Sequence, residues 1–283
     1  YDGLNLGEFF YYEVYSILLP FLKKFFEISK IFEENNQSSF FTSNNLYDIV
    51  HSFSDNIKIL QQVNTVKSEF DYSHMDIPFK LGSKNSHIRI SKSKYLKLLN
   101  ISEKFLNLTT KKQPDKPMIL LSNVSAQHQK ELFLAMPQSK NIFIRFDRSF
   151  PSFWNYDTYS TVKKSGSITE NFSSLVDDNI KKIIDESQNL INEKLNFLSN
   201  STELHEFFSL NKISFWNAFQ KTFFKFLRNK FSEFITEIEI VKKLFSKYKF
   251  SHVLLQAESG KDLVVIKFAK RQNIPIILLQ HGL

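Results

Sequence analysis

The sequence predicts an α/β protein: a doubly wound parallel sheet with a long helical insertion. Two paired sets of strands carry this reading. Met118-Ile119-Leu120-Leu121 and Ile142-Phe143-Ile144-Arg145-Phe146 are continuous apolar runs of the kind buried on both faces of a sheet, and a helix-sized segment separates them. His252–Gln256 and Ile276–Gln280 repeat the arrangement around a second helix. A strand–helix–strand unit of about 30 residues makes its two strands parallel, so both units fit one sheet with helices on its faces.

Taken in order, residues 8–34 read as a helix. Phe10, Val14, Ile17, Phe21, Phe25, Ile28 and Phe32 form one apolar stripe, Pro20 is expected to kink it, and Asn35-Asn36 ends it. Phe40–Thr42 and Ile57–Leu60 are expected as short strands around a helix over 44–53. His87-Ile88-Arg89-Ile90 alternates as an edge strand does, and Ser91 caps a helix running through Leu108. Residues 109–117, with Pro114 and Pro117, form a linker. A helix over 125–136 follows the first apolar run. Two long helices are expected over 170–197 and 212–248, the second striped by Phe215, Phe219, Phe223, Phe226, Phe231, Phe234, Ile238, Val241 and Phe245. After His252–Gln256, Ser259 is expected to cap a helix with Asp262 in its first turn, where a carboxylate favours the dipole. Asn273 and Pro275 stop that helix. The expected organisation is an amino-terminal helix plus the first part of the sheet domain over 1–167, a helical insertion over 168–249, and a final strand–helix–strand unit over 250–283.

Composition removes several chemistries. Of 283 residues, 42% are hydrophobic and 23% charged, which supports a core and excludes disorder of the whole chain. No 18-residue apolar run occurs, so no membrane-spanning helix is expected. There is no cysteine, which excludes disulfides, thiolate catalysis and cysteine-held metal. The 6 glycines cannot be arranged into a dinucleotide or P-loop fingerprint. GxSxG and HExxH are absent, and His74 with Asp71 and Asp76 is too isolated for a metal site. No metal or cofactor is expected. The chain begins at Tyr1 without a basic leader and is expected to be a piece of a longer protein.

The net charge of +8 is concentrated. Segment 212–249 has nine basic residues against three glutamates, and 261–271 has four against one aspartate. Such an excess attracts anionic lipid, a phosphorylated substrate or nucleic acid, or forms an ordinary solvated helix face. No nucleic-acid recognition motif accompanies it, so that partner is not favoured.

In open parallel sheets, ligands bind outside the carboxyl ends of the strands. That rule selects Ser122-Asn123-Val124, Asp147-Arg148, Ala257-Glu258-Ser259-Gly260 and Gln280-His281-Gly282. His281 is a candidate proton acceptor, and Gly282 lets a ligand approach the backbone. Glu258, Ser259 and Gly260 sit at a helix start and suit a hydroxyl-bearing ligand. Arg145 and Arg148 could hold a phosphate or carboxylate, and Trp154 could stack on a sugar. Each also has a purely structural reading: loop hydrogen bonding for His281, capping for Glu258, packing for Trp154.

The stretch Ile274-Pro275-Ile276-Ile277-Leu278-Leu279-Gln280-His281-Gly282-Leu283, with its "IP", apolar strand and "QHG", resembles the amino-terminal domain of GT-B-type glycosyltransferases and their relatives. These include capsular polysaccharide transferases, CDP-glycerol glycerophosphotransferases and UDP-N-acetylglucosamine 2-epimerase-like proteins. His252–Gly260 with helix 261–271 fits the same pattern, including an acidic and a small residue at Glu258-Ser259. Arg145–Asn155, with Arg148, Pro151, Trp154 and Asn155, looks like a loop of some surface-glycan proteins. The resemblance implies a Rossmann-like amino-terminal half, His281 as the catalytic base where relatives carry a WHG-like motif, and Gln280 in place of that tryptophan. It implies transfer of a sugar or glycerol-phosphate unit in surface polysaccharide biosynthesis, or epimerase-like chemistry on a nucleotide sugar. The implied partners are a nucleotide-sugar donor, held mostly by a carboxyl-terminal domain expected to be absent from this piece, and a glycan or lipid-linked acceptor. The chain alone is then expected to turn over poorly or not at all. A cytoplasmic place, peripheral on the inner face of the membrane, goes with that reading. From another class, the basic Phe-striped helix 212–248 has the composition of an interfacial helix that binds an anionic membrane surface or a partner.

Overall fold

The computed structural model describes residues 1–35, 39–44, 46–60, 74–81, 84–91, 93–95, 97–98, 100–101, 116–148, 156–170, 172–210, 213–256 and 260–279. In chain order the elements are α1 (Tyr11–Glu34), β1 (Phe40–Thr42), α2 (Tyr47–His51), β2 (Ile57–Ile59), β3 (His74–Leu81) and β4 (Lys84–Ser91). They continue with β5 (Met118–Ser122), α3 (Lys130–Ala135), β6 (Ile142–Phe146), α4 (Tyr156–Ser165), β7 (Ile168–Thr169), α5 (Phe172–Leu175) and α6 (Asp178–Ser199). The last are α7 (Thr202–Phe207), β8 (Ser209–Leu210), β9 (Ile213–Ser214), α8 (Trp216–Lys247), β10 (Phe250–Leu255), α9 (Lys261–Arg271) and β11 (Ile276–Leu278). The chain divides into two compact units, Tyr1–Asp71 with Ile184–Ile235, and Tyr72–Ile183 with Thr236–Leu283.

The second unit contains the predicted parallel sheet. Its strand order is β11-β10-β5-β6-β7 and every neighbouring pair is parallel. The fold is therefore mixed α/β, and both strand–helix–strand units run as the sequence predicts. β7 joins the same sheet through Ile144↔Ile168 and Arg145↔Thr169, so the segment expected as a helical insertion from 168 begins with a strand. A bulge interrupts β10 between Phe250 and His252, where the Ser251 hydroxyl donates to the Met118 carbonyl at 3.0 Å.

Alternation explains why both faces of this sheet are covered. Leu121, Phe143 and Leu254 pack in one buried cluster with Val124, Phe133, Met136 and Val162, which come from the segments around α3 and α4. The intervening Leu120, Ile144, Val253 and Leu255 are buried as well. Phe245, near the end of α8, stacks edge-on against Phe250 at 5.3 Å and meets Phe268 of α9 at 6.1 Å. Further ties hold the carboxyl-terminal part of α8 within this unit. Lys243 Nζ donates to Asp177 Oδ2 at 2.7 Å and to the Leu175 carbonyl at 2.9 Å. Lys247 Nζ donates to Glu170 Oε1 at 2.6 Å, and the Tyr248 hydroxyl donates to the same oxygen. Burial and the Glu170 carboxylate together push the Tyr248 phenol well above its ordinary value.

The first unit is organised by aromatic rings. Phe21 lies 4.7 Å from Phe219, Phe25 lies 4.8 Å from Phe53, and Phe9 stacks on Phe234 at 5.3 Å. Phe208 stacks on Trp216 at 4.9 Å. Phe215 just before α8, and Phe219, Phe226 and Phe234 on it, are buried; the later stripe residues Ile238, Val241 and Phe245, which belong to the second unit, are buried too. β1 and β2 flank α2, as the sequence predicts, and the two strands pair in parallel.

Several boundaries differ for local reasons. The first helix starts at Tyr11, after a 3₁₀ turn at Leu6–Phe9 whose Asn5 side chain accepts the Gly7 N–H at 3.1 Å; it continues through Pro20 as one helix. The helix expected over 125–136 is only α3: residues 125–129 turn before it, and Met136-Pro137-Gln138 turns as 3₁₀ after it. The helix expected over 170–197 is split. Asp177 Oδ1 accepts the Ile180 N–H at 2.9 Å and so starts α6 afresh. The Lys243 hydrogen bond and that backbone donor hold the Asp177 carboxyl below its ordinary value. The helix expected from 212 starts at Trp216, since Ser209–Leu210 and Ile213–Ser214 pair as a short antiparallel ribbon. β3 and β4 form an antiparallel hairpin that includes His87–Ile90. Described residues between 93 and 101 are helical; the remainder of the helix expected through Leu108, and most of the linker 109–117, lie outside the described residues.

Candidate functional site at the carboxyl rim of the sheet

The parallel strands all end on one rim. β5 leads into Asn123, β6 into Asp147-Arg148, β7 into Glu170 and β10 into Gln256. Asn123 has φ 53°, a left-handed conformation that asparagine tolerates better than most residues. Its side chain then works in two directions. Asn123 Oδ1 accepts the backbone N–H of Arg148 at 2.7 Å, and Asn123 Nδ2 donates to Asp262 Oδ1 at 2.8 Å.

Arg148 is the hub. Its side chain is 1% exposed. Nη2 donates to Ser122 Oγ at 2.6 Å and to Asp262 Oδ1 at 2.6 Å. Nη1 donates to Glu237 Oε1 and to the Lys261 carbonyl, the latter at 3.2 Å. The guanidinium carbon lies 4.8 Å from the centre of the Phe146 ring. One side chain thus joins the exits of β5 and β6, the middle of α8 and the start of α9. Arg148 is expected from the sequence to hold a phosphate or carboxylate; in the structure both of its terminal nitrogens are directed at protein acceptors, among them the carboxylates of Asp262 and Glu237. Arg145 is likewise buried; its Nη2 donates to Asp147 Oδ2, and its guanidinium carbon lies 5.3 Å from the Phe133 ring centre.

Asp262 sits in the first turn of α9, where the sequence predicts it, but it is buried and not a solvated dipole partner. Loss of water pushes its carboxyl above the ordinary aspartate value, and the Glu237 charge adds to that. Arg148 and the hydrogen bonds from Ser122 and Asn123 pull the other way. Glu237 is 1% exposed, and its Oε2 has no hydrogen-bond partner among the described residues. Gly260 precedes α9 with φ 54° and ψ −125°, a backbone conformation that favours glycine, and stands at the cap position expected for Ser259. Gln256 Oε1 accepts the Ser125 N–H at 3.1 Å, which ties the exits of β10 and β5 together.

The described candidates Asn123, Arg148 and Gly260 all lie on this rim. Glu258, Ser259, Trp154, His281 and Gly282 lie outside the described residues. Glu237 was missed by sequence reasoning, although a signal existed. It falls three residues after Phe234 and four before Val241, on the apolar side of a helix whose other charges are mostly basic. Ser122 was selected only as part of the strand exit, and its position as the last residue of a doubly buried strand is the reason its hydroxyl must find protein partners.

Chemically, the described rim pairs Arg148 with Asp262 and Glu237, and Arg145 with Asp147, inside the protein. Among the described residues no group of three or more His, Asp or Glu could hold a metal ion, and no helix is long and apolar enough to cross a membrane. The chain matches no family model, no curated protein and no solved structure.

Proposed function

We propose that this chain is the amino-terminal, acceptor-facing half of a transferase that moves a sugar or glycerol-phosphate unit from a nucleotide-activated donor to a glycan or lipid-linked acceptor. The observation that supports it is β11, which runs parallel to β10 and ends three residues before His281 in the "QHG" stretch. Residues that follow a parallel strand belong to the rim where open α/β sheets bind ligands. Leu279, next after β11, still donates its N–H to the Leu255 carbonyl at 2.7 Å. In this reading His281 takes the proton of an acceptor hydroxyl, that oxygen attacks the activated carbon or phosphorus, and the nucleotide leaves with the bonding electrons. Glu258 and Ser259 orient hydroxyls, and the internal charge frame around Arg148 keeps the rim fixed while the donor nucleotide is held elsewhere.

The test uses the complete protein with UDP-N-acetylglucosamine and with CDP-glycerol, following acceptor-dependent release of UDP or CMP. His281→Ala should lower turnover at least ~100-fold if it is the base. A loss under about threefold removes that role, and absence of acceptor-dependent nucleotide release from both donors counts against the transferase itself. The second reading, in which the basic Phe-striped helix 212–248 binds an anionic membrane surface or a partner, has less support, because Phe215, Phe219, Phe226 and Phe234 of that stripe are buried.

A further inference from the structure

The strand order places the topological switch point of the sheet between β5 and β10. From β5 the chain winds outward through β6 to β7, then returns to β10 and winds the other way to β11. Ligands of open parallel sheets enter at that crevice, outside the strand ends. Here the crevice already contains an anion of the chain itself. Asp262 Oδ1 accepts from Ser122 Oγ at 2.8 Å, from Asn123 Nδ2 at 2.8 Å and from Arg148 Nη2 at 2.6 Å. A hydroxyl, an amide and a guanidinium, all from the exits of β5 and β6, converge on one carboxylate oxygen. Ser122 is 0% exposed and Arg148 is 4% exposed, so water does not compete for these two donors, and Asn123 is half-buried beside them.

We infer that Ser122, Asn123 and Arg148 form an oxyanion cradle whose built-in occupant is the Asp262 side chain, so that the switch-point crevice takes no phosphate from a ligand and accepts a small external anion only when that carboxylate is removed. The tethered carboxylate has two advantages over any ligand phosphate. It is present at high effective concentration, and it takes one charge out of water where a phosphate would take up to about two. Glu237 strengthens the closure by engaging the other terminal nitrogen of Arg148, which leaves no open fork for bidentate phosphate binding. This inference stands or falls independently of the role of His281.

The experiment is thermal unfolding of the full chain and of Asp262→Ala in sodium formate, acetate, phosphate or chloride at matched ionic strength. Asp262→Ala should melt below the parent in chloride, and formate should raise its Tm saturably by about 2–4 °C. The parent should show no such rise with formate or phosphate, and Asp262→Ala combined with Arg148→Met should lose it. If Asp262→Ala does not fold in chloride, refolding in formate becomes the readout: recovery supports the cradle and failure overturns it. A folded Asp262→Ala variant with the same Tm in all four salts also overturns it. So does saturable phosphate stabilisation of the parent that Arg148→Lys abolishes, because an external anion would then displace Asp262.

Discussion

Replacing Arg148 by methionine tests whether the rim is held by charge. The substitution keeps a long apolar stem against Phe146 but removes every donor directed at Glu237, Asp262, Ser122 and the Lys261 carbonyl. Two carboxylates then remain buried, one 1% and one 5% exposed, without their guanidinium. Removing one partner of a buried ion pair costs about 3–5 kcal/mol, and most of that is the penalty of the uncompensated charge left behind. Urea unfolding at neutral pH should show a loss of that size. The pH dependence follows from the same cause. Without Arg148 the Asp262 carboxyl, already raised by burial, loses the charge that holds it down, so its protonation relieves the variant, and the deficit should shrink as the pH falls through that raised value. Adding Glu237→Gln and Asp262→Asn to Arg148→Met should recover a substantial part of the loss, because the strain is charge and not packing. A deficit below about 1 kcal/mol at neutral pH, or a triple variant no more stable than the single one, would refute the reasoning.

Other expectations are as direct. Asp262→Asn removes a carboxyl whose value burial has raised in the folded state. The parent's stability relative to this variant should therefore be greatest at acid pH, below the ordinary aspartate range, and decline as the pH rises through the raised value; a rise in denaturation midpoints over that interval would contradict it. Phe219→Ala, at a side chain 0% exposed and 4.7 Å from the Phe21 ring, should destabilise by about 3–5 kcal/mol in urea, with the fluorescence of buried Trp216 as the reporter. Asn123→Ala should be about 1 kcal/mol less stable than Asn123→Gly in the same assay, since both lose the side-chain bonds and only alanine is strained at φ 53°.

How much of this could be read from residues alone depended on the kind of signal. Periodicity and apolar runs located β5, β6, β10, β11 and the helices between and after them, because a doubly buried parallel strand leaves a continuous hydrophobic word and an amphipathic helix leaves a stripe. β7 escaped because two residues, Ile168-Thr169, carry no pattern; its place in the sheet comes from pairing with Ile144 and Arg145. The break at Asp177 escaped because the helical period continues on both sides of it, and only the Asp177–Ile180 cap marks the restart. At the rim, the strand-end rule found Asn123, Arg148 and Gly260, but not what they do. Asp262 and Glu237 come from helices separated from Arg148 by 114 and 89 residues, and no local spacing encodes which carboxylate meets which guanidinium. Arg148 looked like a ligand group for the reason that makes it a good internal clamp: a planar fork at a strand exit suits any carboxylate, including the chain's own.

The outline of the sheet has a consequence for how copies of this protein meet. Among the described residues its outermost ribbons, β7 and β11, have two and three residues, although the interior strands have five or six. An intruding strand would find only a few backbone groups to zip against before the ladder runs out, which disfavours open-ended stacking of one molecule on the next. Ile277 and Leu278, each 45% exposed on β11, are the apolar groups that lengthening this ribbon would turn into a template for such growth.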